Sequence, residues 1–465
     1  MKLGAYGEYR ESGLPWLGRI PAHWDMRNLR TLITARNHRN RLDLPLLSVV
    51  REKGVIRRSM SGGDANHNFI PDDLSNYKVA YAGDLVINKM KAWQGSLGIA
   101  PCDGIVSPAY FVFKFRVENR AYGQALFRSR PYVGAFAQAS DGVRVGQWDL
   151  SIAGMREIPV LLPPSEEQAA IVRFLDHANR RLDKAIRAKR KLIALLNEQK
   201  QAIIHRAVTR GLDPNVPLKD SGIPWLGEIP AHWEVKRIKY LLREMDCRST
   251  TGFEPLLSMR MHHGLVLFAE HFSRPAQAAT LVGFKLVYPG QFVVNRMQAG
   301  NGVIFPSQLT GLVSPDYAVF QPIADANVDF LGELFRSRTM RAKFRAESKG
   351  LGTGSSGFLR LYNDRLGAIH VALPTRLEQD TILIRLGEQL SGVNAIITRT
   401  EREITLLREY KTRLTADVVT GKLDVREAAR DLPNESGEPE TLDDVETPEA
   451  EDGEEDLTLE SNGEA

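Results

Sequence analysis

Polar and basic side chains gather in glycine-containing segments at matching places in both halves of the chain. Arginine and lysine can form paired hydrogen bonds with guanine, and asparagine and glutamine can do so with adenine, while glycine lets backbone N–H groups approach a phosphate. These residue types are therefore suited to reading a nucleic acid. The candidates in the first half are Arg57, Arg58, Ser61, Lys89, Lys91, Arg144 and Gln147. The candidates in the second half are Arg260, His262, Arg296, Gln298, Asn301, Thr353 and Ser355.

Some of these candidates occupy positions that are equivalent in the two halves. Asn88 is matched by Asn295, and Lys89 is matched by Arg296. If the halves read different sequences, a shared residue is less suited to base contact, so phosphate contact and a structural role both remain open for these four. The better base-reading candidates are the residues that differ between the halves, namely Arg57, Arg58, Arg144, Gln147, His262, Gln298 and Thr353.

Motifs for catalysis are absent from the sequence. Amino-methylation of DNA would need a tetrapeptide of the form (N/D/S)PP(F/Y/W), but Pro163-Pro164 is followed by Ser165. Neither an FxGxG cofactor loop nor a GxxxxGK(S/T) phosphate loop is present. Pro71-Asp72-Asp73 resembles part of a nuclease carboxylate cluster, but no Glu-x-Lys follows at a usable distance. We therefore expect a binding protein without catalytic residues or a cofactor.

The cysteines and histidines do not predict a metal site. Cys102 and Cys247 are the only cysteines and lack a zinc-ligand spacing, and His262-His263 has no acidic or cysteine companion. The N-terminal segment has no apolar core of a signal peptide, and no apolar run approaches the roughly 20 residues that span a bilayer. We therefore expect a cytoplasmic protein without a metal, a disulfide or a membrane partner.

The charge of the chain is unevenly distributed. The net charge of the 465 residues is +4, but residues 431–465 contain 15 acidic and no basic side chains. Residues 1–430 therefore carry 61 basic and 42 acidic side chains, a net charge of +19, which favours a polyanionic partner. The acidic segment is expected to be disordered. It is either a solubility appendage or an electrostatic mimic of DNA that shields the basic body.

The chain contains an internal duplication. SGLPWLGRIPAHW at Ser12–Trp24 recurs as SGIPWLGEIPAHW at Ser221–Trp233, with two differences in 13 residues. GDLVINKM, LFRSR and further short segments recur in the same order, at offsets between 207 and 211. The two halves are therefore expected to share one fold. Trp16, Trp24, Trp225 and Trp233 belong to the repeated motif and are expected to pack in the cores.

Each half begins with about 160 residues that predict a compact α+β domain. Short apolar runs bounded by Gly and Pro predict strands, and segments such as Gly123–Ser129 and Leu331–Ser337 predict short helices. The predicted strands are Val79–Tyr81, Leu85–Asn88 and Tyr110–Phe115 in the first half, and Lys285–Tyr288, Phe292–Asn295 and Tyr317–Phe320 in the second.

A long helix follows each domain. The first is predicted over Glu166–Thr209, with Ser165 as N-cap and Gln168 completing a capping box. The second begins at PTRLEQ, which lacks the serine cap, so we expect it to fray more at its start. Apolar residues at alternating steps of three and four predict a heptad seam on each helix. The first seam is Ile171, Leu175, Ala178, Leu182, Ala185, Lys189, Leu192, Leu196, Gln199 and Ile203. The second is Ile382, Leu386, Gln389, Val393, Ile396, Thr400, Glu403, Leu407, Tyr410 and Leu414.

The repeated PWLGxIPxHW motif, the GDLVINKM/GQFVVNRM pair and the LPxxxEQ helix starts at Leu162–Gln168 and Leu373–Gln379 resemble the specificity subunits of type I restriction–modification enzymes. The resemblance covers residues 5–430. It implies an α+β fold with two similar target-recognition domains, separated by two long helices that form an antiparallel coiled coil with pseudo-twofold symmetry. The expected divisions are recognition domains at 1–160 and 213–371, spacer helices at 161–212 and 372–430, and an acidic tail at 431–465.

The resemblance also implies a function. Each recognition domain would read one half of a bipartite double-stranded DNA target, and the helices would set the gap between the halves and dock two methyltransferase subunits. Translocase–endonuclease subunits would join this core. Adenine methylation would use S-adenosylmethionine held by the partner. An orphan or modification-only adaptor, without a restriction partner, is the alternative.

Overall fold

The computed structural model describes residues 3–51, 53–58, 73–144, 147–261, 263–272, 278, 280–323, 326–351 and 358–432. The chain divides into two compact units. Among the described residues, unit 1 takes 3–190 and 401–432, and unit 2 takes 191–400. Each unit therefore contains one globular region, a segment of the first long helix and a segment of the second.

Short antiparallel strands make up most of unit 1. Its strands are β1 Tyr9–Glu11, β2 Arg19–Pro21, β3 Asp25–Asn28, β4 Ile33–Ala35, β5 Leu47–Val50, β6 Gly54–Arg57, β7 Lys78–Ala80, β8 Leu85–Asn88, β9 Leu97–Ile99, β10 Gly104–Val106, β11 Tyr110–Phe115, β12 Ser140–Arg144, β13 Gln147–Leu150 and β14 Pro159–Leu162. The helices that precede the first long helix are α1 Arg120–Phe127, α2 Arg130–Gln138 and α3 Ile152–Arg156, and the long helix itself is α4 Ser165–Arg210.

Unit 2 repeats this order of elements. Its strands are β15 Leu218–Asp220, β16 Glu228–Pro230, β17 Glu234–Arg237, β18 Leu242–Met245, β19 Leu257–Arg260, β20 Gly264–Leu267, β21 Lys285–Val287, β22 Phe292–Val294, β23 Ile304–Pro306, β24 Gly311–Val313, β25 Ala318–Pro322, β26 Lys349–Leu351, β27 Phe358–Arg360 and β28 His370–Leu373. Its helices are α5 Phe268–His271, α6 Val328–Arg336, α7 Arg338–Glu347, α8 Asn363–Ala368 and the second long helix, α9 Arg376–Val419. A short helix, α10 Arg426–Arg430, follows in unit 1.

A four-stranded antiparallel sheet forms the centre of each unit. Its strand order is β4-β11-β8-β9 in unit 1 and β18-β25-β22-β23 in unit 2. Runs such as 85–87 and Phe292–Val294 are apolar without interruption and are buried, because the sheet is covered on both faces. The remaining strands pair two by two, and each pair in one unit has a counterpart in the other. The predicted α+β class and the predicted duplication of the fold are confirmed.

Both long helices occur where they were predicted, but their starts differ in detail from the prediction. The Pro164 carbonyl accepts the amides of Glu167 and Gln168, and the Gln168 side chain donates to the Pro163 carbonyl at 2.8 Å. The predicted capping box is therefore wrong, because Gln168 bonds to the preceding turn and not to the Ser165 amide. On the second helix, the Thr375 hydroxyl accepts the Glu378 amide at 3.4 Å and replaces the missing serine cap.

In unit 1, the two helix segments run antiparallel. Lys411 Nζ lies 2.7 Å from an Asp183 carboxylate oxygen, and Lys189 Nζ lies 2.5 Å from a Glu403 carboxylate oxygen. Because the partner number falls as the first number rises, the segments have opposite directions. In unit 2, Lys200 Nζ donates to Asn394 Oδ1 at 2.9 Å.

The prediction of the heptad seam is correct for only some of the buried helix residues. The predicted seam residues Ile171, Leu175, Ile382, Leu386 and Leu414 are buried, and Leu182, Leu196, Ile203, Val393 and Leu407 are half-buried. However, Leu192 and Ile396 are 43% and 48% exposed. Gln199, Gln389 and Tyr410 are exposed as well. Ile186, Ile204 and Ile404 are buried in their place. A straight α-helix drifts by about 20° per heptad, so two to three heptads into each helix the residue after a predicted seam position is the one that faces inward.

Candidate nucleic-acid interface

Equivalent turns follow the central strands β8 and β22. The Asn88 side-chain oxygen accepts the Met90 amide at 3.1 Å, and the Asn295 side-chain oxygen accepts the Met297 amide at the same distance. Asn295 is also buried. These hydrogen bonds show that both asparagines shape the turn, and phosphate contact by the same turn stays a prediction.

The residues after these asparagines hold a second hairpin in place. In unit 1, the Lys89 carbonyl accepts the Leu150 amide, and Lys89 Nζ lies 2.9 Å from a carboxylate oxygen of Asp149. In unit 2, the Arg296 carbonyl accepts the Leu361 amide, and Arg296 Nε donates to the Asp316 carbonyl at 2.8 Å. The turns therefore lie beside the β12–β13 and β26–β27 hairpins.

Several positively charged side chains lie close to Lys89 in unit 1. Burial lowers the pKa of Lys78, and nearby Arg39 and Lys89 lower it further. Lys78 Nζ donates to the Tyr110 carbonyl at 2.7 Å. Burial raises the pKa of Tyr110, and the positive charge of Arg58 opposes that rise. Arg58 and Lys89, two predicted contact residues, thus share one positively charged region through Lys78 and Tyr110.

The equivalent region of unit 2 carries a smaller net positive charge. Lys285 and Arg248 occupy the positions of Lys78 and Arg39, and burial lowers the pKa of Lys285. Asp246 pairs with both, at 3.1 Å from Arg248 and 3.6 Å from Lys285. Hydrogen bonding to Arg248 lowers the pKa of Asp246. Lys285 is 4% exposed and therefore supports the fold of this region.

The remaining predicted contacts lie on a hairpin and a turn. Arg57 is exposed at the end of β6, and Arg260 of unit 2 lies 5.1 Å from the ring centroid of Phe272. Lys91 is exposed. Asn301 Nδ2 donates to Gln298 Oε1 at 3.0 Å, so these two residues share one turn with Arg296. Ser61, His262, Thr353 and Ser355, and the side chains of Arg144 and Gln147, lie outside the described residues.

A glutamate carboxylate links the repeated tryptophan motif to the long helix of each half. In unit 1, Glu167 accepts the Trp24 indole N–H at 2.9 Å, and its second oxygen lies 2.9 Å from His23 Nε2. Burial raises the pKa of the neighbouring Tyr6, and Glu167 adds to the rise. Trp24 is 1% exposed, as predicted for a core residue.

The same contact recurs in unit 2. Glu378 accepts the Trp233 indole N–H at 3.1 Å, and its second oxygen lies 2.8 Å from His232 Nε2. The next residue of each helix start has an equivalent role, since Gln168 and Gln379 accept the amides of Asn119 and Asn327. The LPxxxEQ and PAHW motifs are therefore two sides of one contact, which fixes each globular region to the helix that follows it.

Within the described ranges, no group of three or more potential ligands could hold a metal ion. None of the helices in those ranges combines the length and the apolar character needed to cross a membrane. Cys102 and Cys247 are free.

No family model matches the chain. A putative type I restriction enzyme MjaX specificity subunit from Methanocaldococcus jannaschii is 22% identical over 247 residues, which are 47% of this chain and 52% of the relative. The chain thus spans about half the length of this curated relative. A chain solved in work on complex assembly and conformational transition of the type I R-M system matches with a TM-score of 0.59, at 14% identity, over 87% of this chain and 99% of that one. The expected resemblance to type I specificity subunits is confirmed.

The crystal structure of the HsdS subunit from Thermoanaerobacter tengcongensis is less similar, with a TM-score of 0.43 at 14% identity over 90% of this chain and all of that one. The likeness in fold therefore rests on the first structure, a chain from work on a type I R-M system.

Sequence reasoning missed several residues of this region. Glu167 and Glu378 were visible only as part of a repeated motif, and the cations Arg39 and Lys78 were not singled out. The signal that could have found all four is the repeat itself, because each has a charged counterpart of the same sign in the other half.

Proposed function

We propose that this chain is the non-catalytic, sequence-specific DNA-binding subunit of a type I restriction–modification complex. Each unit reads one half of a bipartite target. The long helices set the unspecific gap and dock two methyltransferase subunits, which translocase–endonuclease subunits join in the cytoplasm. The observation that carries the proposal is the duplication of one unit, with the same sheet and the same tryptophan–glutamate contact but different hairpin side chains.

The side chains on the equivalent hairpins differ in ways that matter for base contact. Arg57 and Arg58 of unit 1 correspond to Leu267 and Phe268 of unit 2, because Gly54 and Gly264 mark the same turn. An arginine can bond two acceptors of guanine, whereas leucine and phenylalanine offer apolar contact, for example with the thymine methyl group. The two units are therefore expected to read different half-sites.

Exposed leucines at equivalent positions of the two long helices support the docking of two identical partners. Leu195 is 53% exposed and Leu406 is 54% exposed, and they are related by the helix offset of 211 residues. Large apolar side chains on a helix surface are favoured where a partner protein covers them. Two equivalent leucines therefore predict two equivalent contacts.

Methyl transfer belongs to the partner in this proposal. The sequence lacks the amino-methylation tetrapeptide and the FxGxG cofactor loop, so S-adenosylmethionine would be held by the methyltransferase subunits. The purified chain should neither methylate nor cut DNA. Turnover by a rigorously pure chain supplied with S-adenosylmethionine would contradict the proposal.

Mapping methylated motifs in a host that carries the partner genes tests the reading of half-sites. Arg57→Ala should relax one half-site and Arg260→Ala the other, with a loss of about 1–3 kcal/mol in discrimination for a paired contact with guanine. Arg27→Ala removes an exposed arginine of β3, 60% exposed and paired with Asp25, and serves as the matched control. Replacing residues 25–160 by another recognition domain should change one half-site and keep the gap. A change in both halves at once would refute the assignment of one half-site to each unit.

The docking of partners is tested separately by stoichiometry. Leu195→Asp and Leu406→Asp should each reduce the number of bound methyltransferase subunits from two to one, and the double variant should bind none. Leu42 is 62% exposed but lies outside the helices, so Leu42→Asp is the control. Unchanged stoichiometry in the double variant would place the docking surface elsewhere.

A further inference from the structure

The first long helix carries a dense run of positive charge. Positions 180–190 contain six basic residues and one acidic residue, Asp183. The equivalent positions of the second helix, 391–401, contain one basic and one acidic residue. The charge is therefore a property of this helix and is not a common requirement of the repeated fold.

Part of this charge forms a stripe on the solvent side of α4. We define the basic stripe as Arg180, Lys184 and Arg187, whose spacing of four and three residues places them on one helix face. At 100° per residue, this face lies about 150° around the helix from the buried Ile171, Leu175 and Ile186. All three stripe residues are exposed. Over the described ranges, no acidic side chain pairs with Lys184 or Arg187.

The short helix α10 contacts the face of α4 that carries the stripe. Arg173 lies two turns before Arg180 on the same face, and its Nη1 atom donates to the Ala429 carbonyl of α10 at 3.3 Å. Leu432, the last described residue, packs against the core of unit 1. Residues 433–465 follow, with 14 acidic and no basic side chains.

We propose that the basic stripe is a binding surface for acidic polypeptide, and that its occupant is segment 433–465 of the same chain. The distance from Arg173 to Arg187 along the helix is about 21 Å, at 1.5 Å per residue. An extended chain covers about 3.3 Å per residue, so roughly seven of the 33 residues reach across it. The charges are opposite, and the segment follows Leu432, three residues after the Ala429 carbonyl that contacts Arg173, which lies about 10 Å along the helix from Arg180.

Tethering favours this segment over a free polyanion. A segment held next to its site by a short connection has an effective concentration on the order of millimolar, so weak ion pairs are sufficient to keep the site occupied. Single exposed ion pairs are weak and are screened by salt, which makes the contact readily displaced. The stripe would thus be masked until a stronger competitor arrives. The inference does not depend on the proposed function.

A peptide added in trans tests the inference. The probe is a fluorescein-labelled synthetic peptide of residues 433–465, and its binding is followed by fluorescence anisotropy at low salt. The reference protein is the full chain with the 14 acidic residues of 433–465 changed to their amides, which frees the stripe. Lys184→Glu with Arg187→Glu is made in this background. Lys114→Glu with Lys219→Glu, at two exposed lysines outside the long helices, makes the same change in charge and is the matched control.

The reference protein should bind the peptide, and the unaltered chain should bind it about tenfold more weakly because its own segment competes. The stripe variant should bind about fivefold to tenfold more weakly than the reference, as expected for the loss and reversal of two exposed pairs. The control should match the reference. Equal binding by the stripe variant and the reference, or equal loss in the control, would overturn the proposal. So would a result in which a DNA duplex, but not the peptide, depends on Lys184 and Arg187.

Discussion

Removing the Glu167 carboxylate should destabilise unit 1 more than removing Glu378 destabilises unit 2. Both carboxylates accept a tryptophan indole N–H and lie beside a histidine, so the two contacts are chemically the same. They differ in exposure, because the Glu167 side chain is 4% exposed and that of Glu378 is 29% exposed. Water can therefore replace the lost carboxylate much more easily in unit 2.

The size of the destabilisation follows from the hydrogen-bonding groups that lose their partner. In Glu167→Ala, the buried Trp24 N–H loses its partner, which costs about 2 kcal/mol, and the half-exposed His23 loses a hydrogen bond worth up to about 1 kcal/mol. The expected loss is about 3 kcal/mol in the free energy of unfolding. Glu378→Ala should cost about 1.5 kcal/mol, because Trp233 can bond to water that enters beside it.

Hydrogen exchange read by mass spectrometry is the suitable assay, because it reports each unit separately. In unit 1, peptides covering Asp25–Asn28 and the start of α4 should exchange about a hundredfold faster in Glu167→Ala. The equivalent peptides of unit 2 should exchange about tenfold faster in Glu378→Ala. Glu167→Gln keeps an acceptor oxygen for Trp24 and should recover most of the loss.

Two results would refute this reasoning. Equal acceleration in the two alanine variants would mean that burial of the carboxylate does not set the cost. A glutamine variant as damaged as the alanine variant would mean that the charge, and not the acceptor for the indole, holds the contact together.

Further predictions concern the ends of the long helices and the net positive charge of residues 1–430. Gly421→Ala should destabilise the protein by more than the roughly 1 kcal/mol expected for Gly211→Ala, as measured by urea unfolding. Both glycines end a long helix with φ +77°. A Cβ added at Gly421 would lie 2.4 Å from Pro21 Cδ, whereas one added at Gly211 would have no neighbour closer than 3.6 Å. Equal losses of unfolding free energy in the two variants would contradict this prediction. Binding of a non-specific duplex should weaken steeply with salt, by counterion release, in a titration between about 50 and 200 mM, and a flat response would exclude phosphate contacts as the main source of affinity.

The duplication, the positions of both long helices and the strands of the central sheets could be predicted from the sequence, because they depend on local pattern. An apolar run bounded by glycine forms a strand, and a long periodic segment with few glycines or prolines inside it forms a helix. The predicted site was less complete. The turns at Asn88 and Asn295 were found through the repeat, but their hydrogen bonds could not be read from the residue types alone.

The residue pattern was sufficient to predict that one unit is built twice, that residues 1–430 are basic and that a helix of more than 40 residues follows each copy. Which helix residues are buried depends on the packing of the folded chain. Small differences between a heptad and the true helical period accumulate with length, and they bring Ile186 into the interior and leave Leu192 exposed. The packing of the folded chain also decides the partner of Glu167, more than 140 residues away from Trp24. Such contacts depend on how distant segments pack, and local patterns carry no information about that distance.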